Sequence, residues 1–481
     1  MAADDDIVAL SAIELSRAIR ARAVSCVAVM EAYLDRIERL NPVVNAIVAL
    51  RDRADLLREA GARDAELARG EVRGPLHGFP QAVKDLAPVK GLPFTQGSPI
   101  FRDRIAESDA ILVERMRRAG AILIGKTNTP EFGLGSQTFN PVYGTTRNAY
   151  DPARTSGGSS GGAAVSVALR MQPVADGSDH AGSLRNPPAF NNLFGLRPAY
   201  GRIPQAGPDV FTPSLAVEGA IGRSPADIGF LLSVLAGPDP RVPYGIEADP
   251  SVFAEPLERD CSGLRAAWLG DLGGHLPFEP GVLELGQSAL AGFEAAGVRV
   301  EADRPAFDME ALWQDWLVLR AWFTAAALKP LYENPRTRAL LKPEAVWEAE
   351  RGLKLDADRV AAAQAGRSAW YESLRRFMER YDVLLLPAAQ VFPFAAGTPW
   401  PKTVGGRPMD TYHRWMEVVI PITMSGLPAL SVPAGFNEAG LPTGIQIVGR
   451  NHAELACLQL GAAYDAATRW VERRPPPLLD A

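Results

Sequence analysis

The chain has 481 residues, of which 47% are hydrophobic and 22% charged, a globular composition that allows a sizeable core and argues against extended disorder. With 50 basic against 56 acidic residues the net charge is −6, which argues against a nucleic-acid scaffold, because phosphate binding needs a basic surface. Cys26, Cys261 and Cys457 lie far apart with no CxxC pair, so they read as buried thiols of a reducing compartment rather than bridges or ligands.

In chain order, residues 1–10 carry Asp4, Asp5 and Asp6 where a secretory leader would be basic and then apolar. No run of about 18 apolar residues follows anywhere, so the expectation is a cytoplasmic protein without a spanning helix. Residues 11–69 read as helices: Ile13, Leu15 and Ile19, then Val27, Met30, Tyr33, Leu34 and Ile37 keep helical spacing. Asn41-Pro42 breaks that pattern, and residues 56–67 resume it up to Gly70. Residues 76–86 read as short strand and loop ahead of Lys84. An amphipathic helix over 109–119 precedes an apolar strand at 121–124. Residues 125–205 are rich in Gly, Ser, Asn and Pro, a loop-rich stretch of the kind that usually carries function. Further strands are expected at 264–269, 298–301, 382–386, 429–432 and 444–448, with a helix over 280–296. Residues 307–380 are helical by pattern and hold five of the nine tryptophans. Helix followed by short buried strand is the rhythm of an α/β sheet.

Three local signals carry chemistry. The strongest is Gly157-Gly158-Ser159-Ser160-Gly161-Gly162. Such tracts are often flexible linkers, but Ala163, Ala164, Val165 and Val167 follow at once, as a buried helix start would. A P-loop would need a lysine after the second glycine pair, and none is there; glycines ahead of a helix still offer N–H groups to an anion. The second signal runs from Asp176 through Ser178, Asp179, His180, Ala181 and Gly182 to Ser183 and Arg185. Small residues there let the chain turn tightly and let successive N–H groups converge on one oxygen. The third is Val83-Lys84-Asp85; taken alone, a strand-end lysine is an ordinary solvated charge.

Together these segments resemble the amidase signature family, whose hallmark is GGSSGG, then a GGS-type loop with the nucleophile, and an upstream lysine in a VKD-like context. Ser159 and Ser183 are 24 residues apart and Lys84 lies 75 residues before Ser159, as the resemblance requires. Thr127-Asn128-Thr129-Pro130-Glu131-Phe132-Gly133, Gly195-Leu196-Arg197-Pro198 and Leu427-Pro428-Ala429-Leu430-Ser431-Val432-Pro433 are similar to further family segments. The likeness is dense over 76–205, good over 420–450 and thin over 240–380. It implies an α/β fold: a single large domain with a central twisted mixed β-sheet covered by helices on both faces. Within it, 1–75 would be an N-terminal helical segment and 76–235 the catalytic core. Residues 307–380 would be an aromatic-rich helical insertion, and 381–470 a return to the sheet.

The same resemblance implies hydrolysis of a carboxylic amide through an acyl-enzyme. Ser183 would be the nucleophile, Ser159 the relay and Lys84, neutral through burial, the base. The backbone N–H groups of His180, Ala181, Gly182 and Ser183 would form the oxyanion hole. Ser160, Ser178, Thr155 and Asp179 fit supporting hydrogen-bond roles, and Arg185 a structural hub. Two departures stand out. Ala181 replaces the family's first glycine, and His180 stands where a small or apolar residue is common, as a pocket-lining group rather than a base. Trp316 and Trp322 are expected to line the substrate pocket, with core packing as the rival explanation. The implied partner is a small-molecule amide, aryl or hydrophobic, with esters and carbamates open. No metal, cofactor, nucleic acid or membrane is implied, and a homodimer is left open. The competing readings are the catalytic subunit of a tRNA-dependent amidotransferase and a non-catalytic amidase-like binding protein.

Overall fold

Successive side chains of an extended strand point to opposite sides, and the run Leu384-Leu385-Leu386 is apolar on both. Val383 and Leu385 enter one apolar cluster, Leu384 and Leu386 another. The neighbouring strand behaves alike, with Ile445 and Ile447 in the first cluster and Val448 in the second. Continuously hydrophobic strands need cover on both faces. In the computed structural model, which describes residues 4–207, 209–212 and 214–480, helices supply that cover. The first three residues of the acidic start lie outside the described residues.

Eight strands form the main sheet, in the order Arg299–Ala302, Arg265–Trp268, Val383–Pro387, Pro442–Val448, Ala429–Phe436, Phe194–Arg197, Val217–Gly222 and Ala175–Asp179. The first three run parallel, and every later pair is antiparallel, so the sheet is mixed. Helices Gly161–Ala168, Pro225–Leu235 and Glu454–Thr468 pack on one face. The other carries Asn186–Phe190, with Ile420–Ser425, Met309–Glu333 and Ala357–Phe377 in the cluster beyond it.

A second sheet, Ile47–Val48, Ile122–Thr127 and Pro80–Lys84, docks beside strand Ala175–Asp179. Side chains, not a backbone ladder, form the seam among the described residues. Gln81 Nε2 donates to the Val174 carbonyl at 2.9 Å, and the Ala82 N–H to Gln172 Oε1 at 3.0 Å. The Lys84 N–H donates to Asp176 Oδ2 at 3.2 Å.

Three expectations are corrected. Helix Cys26–Val44 runs through Asn41-Pro42 and ends at Asn45 in the left-handed region. The proline falls in the last turn, and Asn41 Oδ1 holds the exit by accepting the N–H groups of Ala46 and Ile47, both at 2.8 Å. The helix expected over 280–296 is two, Val282–Ser288 and Leu290–Ala295. The stretch 125–205 is less loop-like than its composition, for it contains helix Gly161–Ala168 and two strands of the main sheet. The three cysteines are free and buried. No helix among the described residues is long and apolar enough to cross a membrane.

Candidate active site

Lys84 ends strand Pro80–Lys84, which is buried along its whole length, and the residue is only 1% exposed. Four oxygens surround its Nζ. Ser159 Oγ lies at 2.7 Å, Ser160 Oγ at 2.9 Å, Ser178 Oγ at 3.0 Å and the Ser178 carbonyl at 3.2 Å. No carboxylate among the described residues forms an ion pair with it. Burial lowers its pKa to about 8, against the opposing pull of Glu218, Asp176 and Asp179.

Ser159 follows a cis peptide from Gly158 and lies just before helix Gly161–Ala168. The glycines there are closely packed: a Cβ at Gly162 would stand 2.3 Å from the Asn128 nitrogen. The tract is therefore a packed turn and not a linker.

Strand Ala175–Asp179 leads into the turn that carries Ser183. The Asp179 carboxylate organises this turn from within. It accepts the N–H groups of Gly182 at 2.8 Å and Leu184 at 3.1 Å. Arg185 Nε and Nη2 each donate to it at 2.9 Å, and Arg197 Nη1 at 3.1 Å. Burial opposes its ionisation, yet the two guanidiniums hold it well below the usual carboxylate range. Arg185 also reaches the Val419 carbonyl, Gln446 Oε1 and Thr423 Oγ1, each at 2.8 Å, so it is the hub its sequence context suggested. Gly182 has φ +93°, and a Cβ on it would meet Asn186 Oδ1 at 2.3 Å, so both backbone and space require glycine. Ala181 does not share that left-handed conformation, which is why a methyl group is accommodated there.

The expected set of oxyanion donors shrinks accordingly. The Gly182 N–H is already given to Asp179, whereas those of His180, Ala181 and Ser183 meet no acceptor among the described residues. Ser183 is 6% exposed, and its Oγ makes no hydrogen bond among the described residues. The fold thus joins Lys84 to Ser159 directly and leaves the Ser183 hydroxyl uncommitted.

Two further acids lie near the lysine. Burial raises Asp176 to about 6, and its Oδ1 has no partner among the described residues. Glu218 stands opposite Ser178 in the ladder and accepts Gln205 Nε2 at 2.8 Å. Burial and the nearby Asp176 raise it to about 7.

A cavity of about 510 Å³ opens at Ser159, Ser178 and His180. Its far wall is apolar, with Leu86, Phe132, Leu134, Phe323 and Leu328. Of the tryptophan-rich segment, the wall takes Phe323 and Arg320 rather than Trp316 or Trp322. Trp316 is fully buried, with its ring 4.8 Å from Trp313 and 4.6 Å from His413; Trp322 packs against the same core. Core packing therefore accounts for both. His180 lines the cavity. Its Nε2 is sealed without a partner, and burial with the neighbouring Arg320 and Arg197 lowers its pKa to about 3, so the ring is neutral. Sequence reasoning assigned no role to Asp176, Glu218, Arg197 or Arg320. Asp176 stood inside the second motif and Arg197 inside Gly195-Leu196-Arg197-Pro198, but Glu218 and Arg320 carried no local pattern. Among the described residues no group of three or more His, Cys, Asp or Glu is placed to hold a metal ion.

A family model described as Amidase matches residues 28–458. A Rhodococcus erythropolis protein called Acylamidase is 36% identical over 475 residues, 97% of each chain. A glutamyl-tRNA(Gln) amidotransferase subunit of Acidothermus cellulolyticus is 34% identical over 490 residues, covering 96% of this chain and 95% of that one. The crystal structure of a bacterial aryl acylamidase of the amidase signature enzymes superposes with a TM-score of 0.91 at 27% identity, covering 98% of this chain and 99% of the other.

Proposed function

Because the chain belongs to the amidase signature family and is an amide-hydrolysing enzyme, we propose that it works through an acyl-enzyme on Ser183, with Ser159 as relay and Lys84 as base. One observation carries this reading: a fully buried lysine in hydrogen-bond contact with three serine side chains and no counter-ion. A neutral amine has two hydrogens and one lone pair. If the hydrogens go to the oxygens of Ser178 and Ser160, the lone pair is left to receive the Ser159 hydroxyl proton. Ser159 then takes the proton of Ser183, whose Oγ attacks the carbonyl. The N–H groups of His180, Ala181 and Ser183 receive the oxyanion. Run backwards, the relay protonates the leaving amine, and water releases the acyl group by the same steps.

The apolar cavity wall favours an aryl or otherwise hydrophobic amide, in keeping with the acylamidase relatives. Esters and carbamates undergo the same acyl transfer. The tRNA-dependent reading draws on the amidotransferase relatives, and would require a partner for turnover.

Both readings meet in one experiment: the purified chain alone, a fluorophosphonate label, and anilides, esters and carbamates as substrates. Hydrolysis and labelling are expected for the parent, none of either for Ser183→Ala, and a small residue of turnover for Ser159→Ala. Full activity in Ser183→Ala would overturn the assignment, and labelling without anilide turnover would favour the partner-dependent reading.

A further inference from the structure

Arg320 lies in the middle of helix Met309–Glu333 and is 3% exposed, yet it lines the cavity that opens at Ser159. Its guanidinium is fixed on two sides. Nε donates to Glu348 Oε1 at 2.6 Å and Nη2 to the Tyr412 hydroxyl at 2.7 Å, and that hydroxyl donates in turn to Glu348 Oε1 at 2.6 Å. The plane also lies over the Trp316 ring, 5.4 Å from its centroid. The remaining amino group, Nη1, has no acceptor among the described residues.

A buried donor with nothing to donate to is expensive once water is expelled. On the same helix Phe323, Ala327 and Leu328 present apolar side chains to the cavity, with the Thr324 hydroxyl one turn from Arg320. Arg320 and Glu348 together carry no net charge, because both are ionised: burial opposes the Glu348 charge, but Arg320 and His413 hold its pKa near 2. His180, on the same cavity, is neutral. At Nη1 itself the paired Glu348 suits an uncharged acceptor, while Arg104, on the same cavity with its Nη2 unpartnered among the described residues, is the cation a carboxylate would meet.

We propose that Arg320 is a specificity-determining residue whose Nη1 donates to a neutral oxygen acceptor, such as a ketone or amide carbonyl, on the part of the amide that fills this cavity. The inference rests on amide hydrolysis at Ser183, and it goes further by naming a polar requirement inside an apolar pocket. It also gives the tryptophan-rich helices a purpose, that of holding one guanidinium rigidly at the wall.

The test uses isosteric anilide pairs in which a carbonyl replaces a branched carbon. On the acyl side these are 4-oxopentananilide against 4-methylpentananilide. On the amine side they are 4-(2-oxopropyl)acetanilide against 4-isobutylacetanilide, in which a methylene insulates the ring from the carbonyl. The parent is expected to favour the carbonyl member of one pair by about tenfold in kcat/KM, as sites built around a buried donor do. Arg320→Met should bring that ratio near one while fluorophosphonate labelling of Ser183 persists. If Arg320→Met does not fold, Arg320→Lys decides. It keeps the charge beside Glu348 but loses the fork, and the preference should drop by roughly threefold or more. A parent without preference in either pair, or a preference unchanged in a folded Arg320 variant, overturns the proposal. A parent that neither labels nor hydrolyses any of these anilides overturns instead the acyl-enzyme reading beneath it.

Discussion

Replacing Asp179 by asparagine changes one atom and removes one charge, and the structure says how much should follow. The carboxylate accepts from two backbone N–H groups of the nucleophile turn and from two buried guanidiniums. An amide has a single oxygen to accept with, and its NH2 would face an arginine. Two buried cations would lose their counter-ion, and breaking a buried pair in this way costs about 3–5 kcal/mol. Unfolding entropy of roughly 2.1 cal/mol/K per residue over 481 residues is about 1 kcal/mol/K, so each kcal/mol moves Tm by about 1 °C. Scanning calorimetry at a matched rate should therefore show Tm falling by about 3–5 °C. Anilide turnover, measured at 25 °C where both proteins are folded, should fall on the order of ten- to a hundredfold, because a loosened turn misplaces Ser183 and its N–H groups. An Asp179→Asn protein that melts within 1 °C of the parent and keeps its kcat would refute the view that this carboxylate organises the turn.

In the proposed relay Lys84 must be neutral to accept a proton, and its neutral fraction grows as pH rises through about 8, so kcat/KM should rise over that range and level off above it. Glu218→Gln removes a charge that favours the ammonium form, and the rise should move to lower pH; a midpoint that stays put would deny Glu218 that influence. Trp316→Ala should lower stability by about 3–5 kcal/mol and reduce turnover of aryl and small aliphatic amides alike; selective loss on the aryl substrate would return Trp316 to the pocket. Phe323→Ala should leave the melting temperature nearly unchanged while raising KM more for an anilide than for a short aliphatic amide, and equal changes would remove it from the substrate wall.

The regular parts of the fold were legible because they obey simple periods. Strand Val383–Pro387 and the helices over 307–380 show in hydrophobicity alone. Strand Ala175–Asp179 does not. Its residues are Ala, Asp, Gly, Ser and Asp, because one end of it builds the site and its neighbours need small side chains. A Cβ at Gly177 would meet the Leu184 side chain at 2.7 Å. The lysine and the two serines were readable through their motifs. Arg197 stood in a quoted segment but its part did not show, and Glu218 and Arg320 did not show at all, for each acts through a partner elsewhere in the chain: Asp179, the Lys84 surroundings, and Glu348 with Tyr412. The aromatic helix misled for a related reason. Its apolar stripe is as expected for a core, and one arginine among the tryptophans reaches the cavity while none of the tryptophans lines it.

The seam between the two sheets has a consequence for when this protein can first act. All three strands of the smaller sheet, Lys84 among them, come from the first 127 residues. Strand Ala175–Asp179, which leads to the nucleophile turn, belongs to a sheet whose middle strands are Ala429–Phe436 and Pro442–Val448. During synthesis Lys84 therefore emerges long before the framework that holds Ser183, which closes only after strand Pro442–Val448 has been made. A nascent or truncated chain carries a lysine without an aligned serine, and later a serine without a finished support. On the proposed mechanism, hydrolysis would begin only once strands Ala429–Phe436 and Pro442–Val448 are in place.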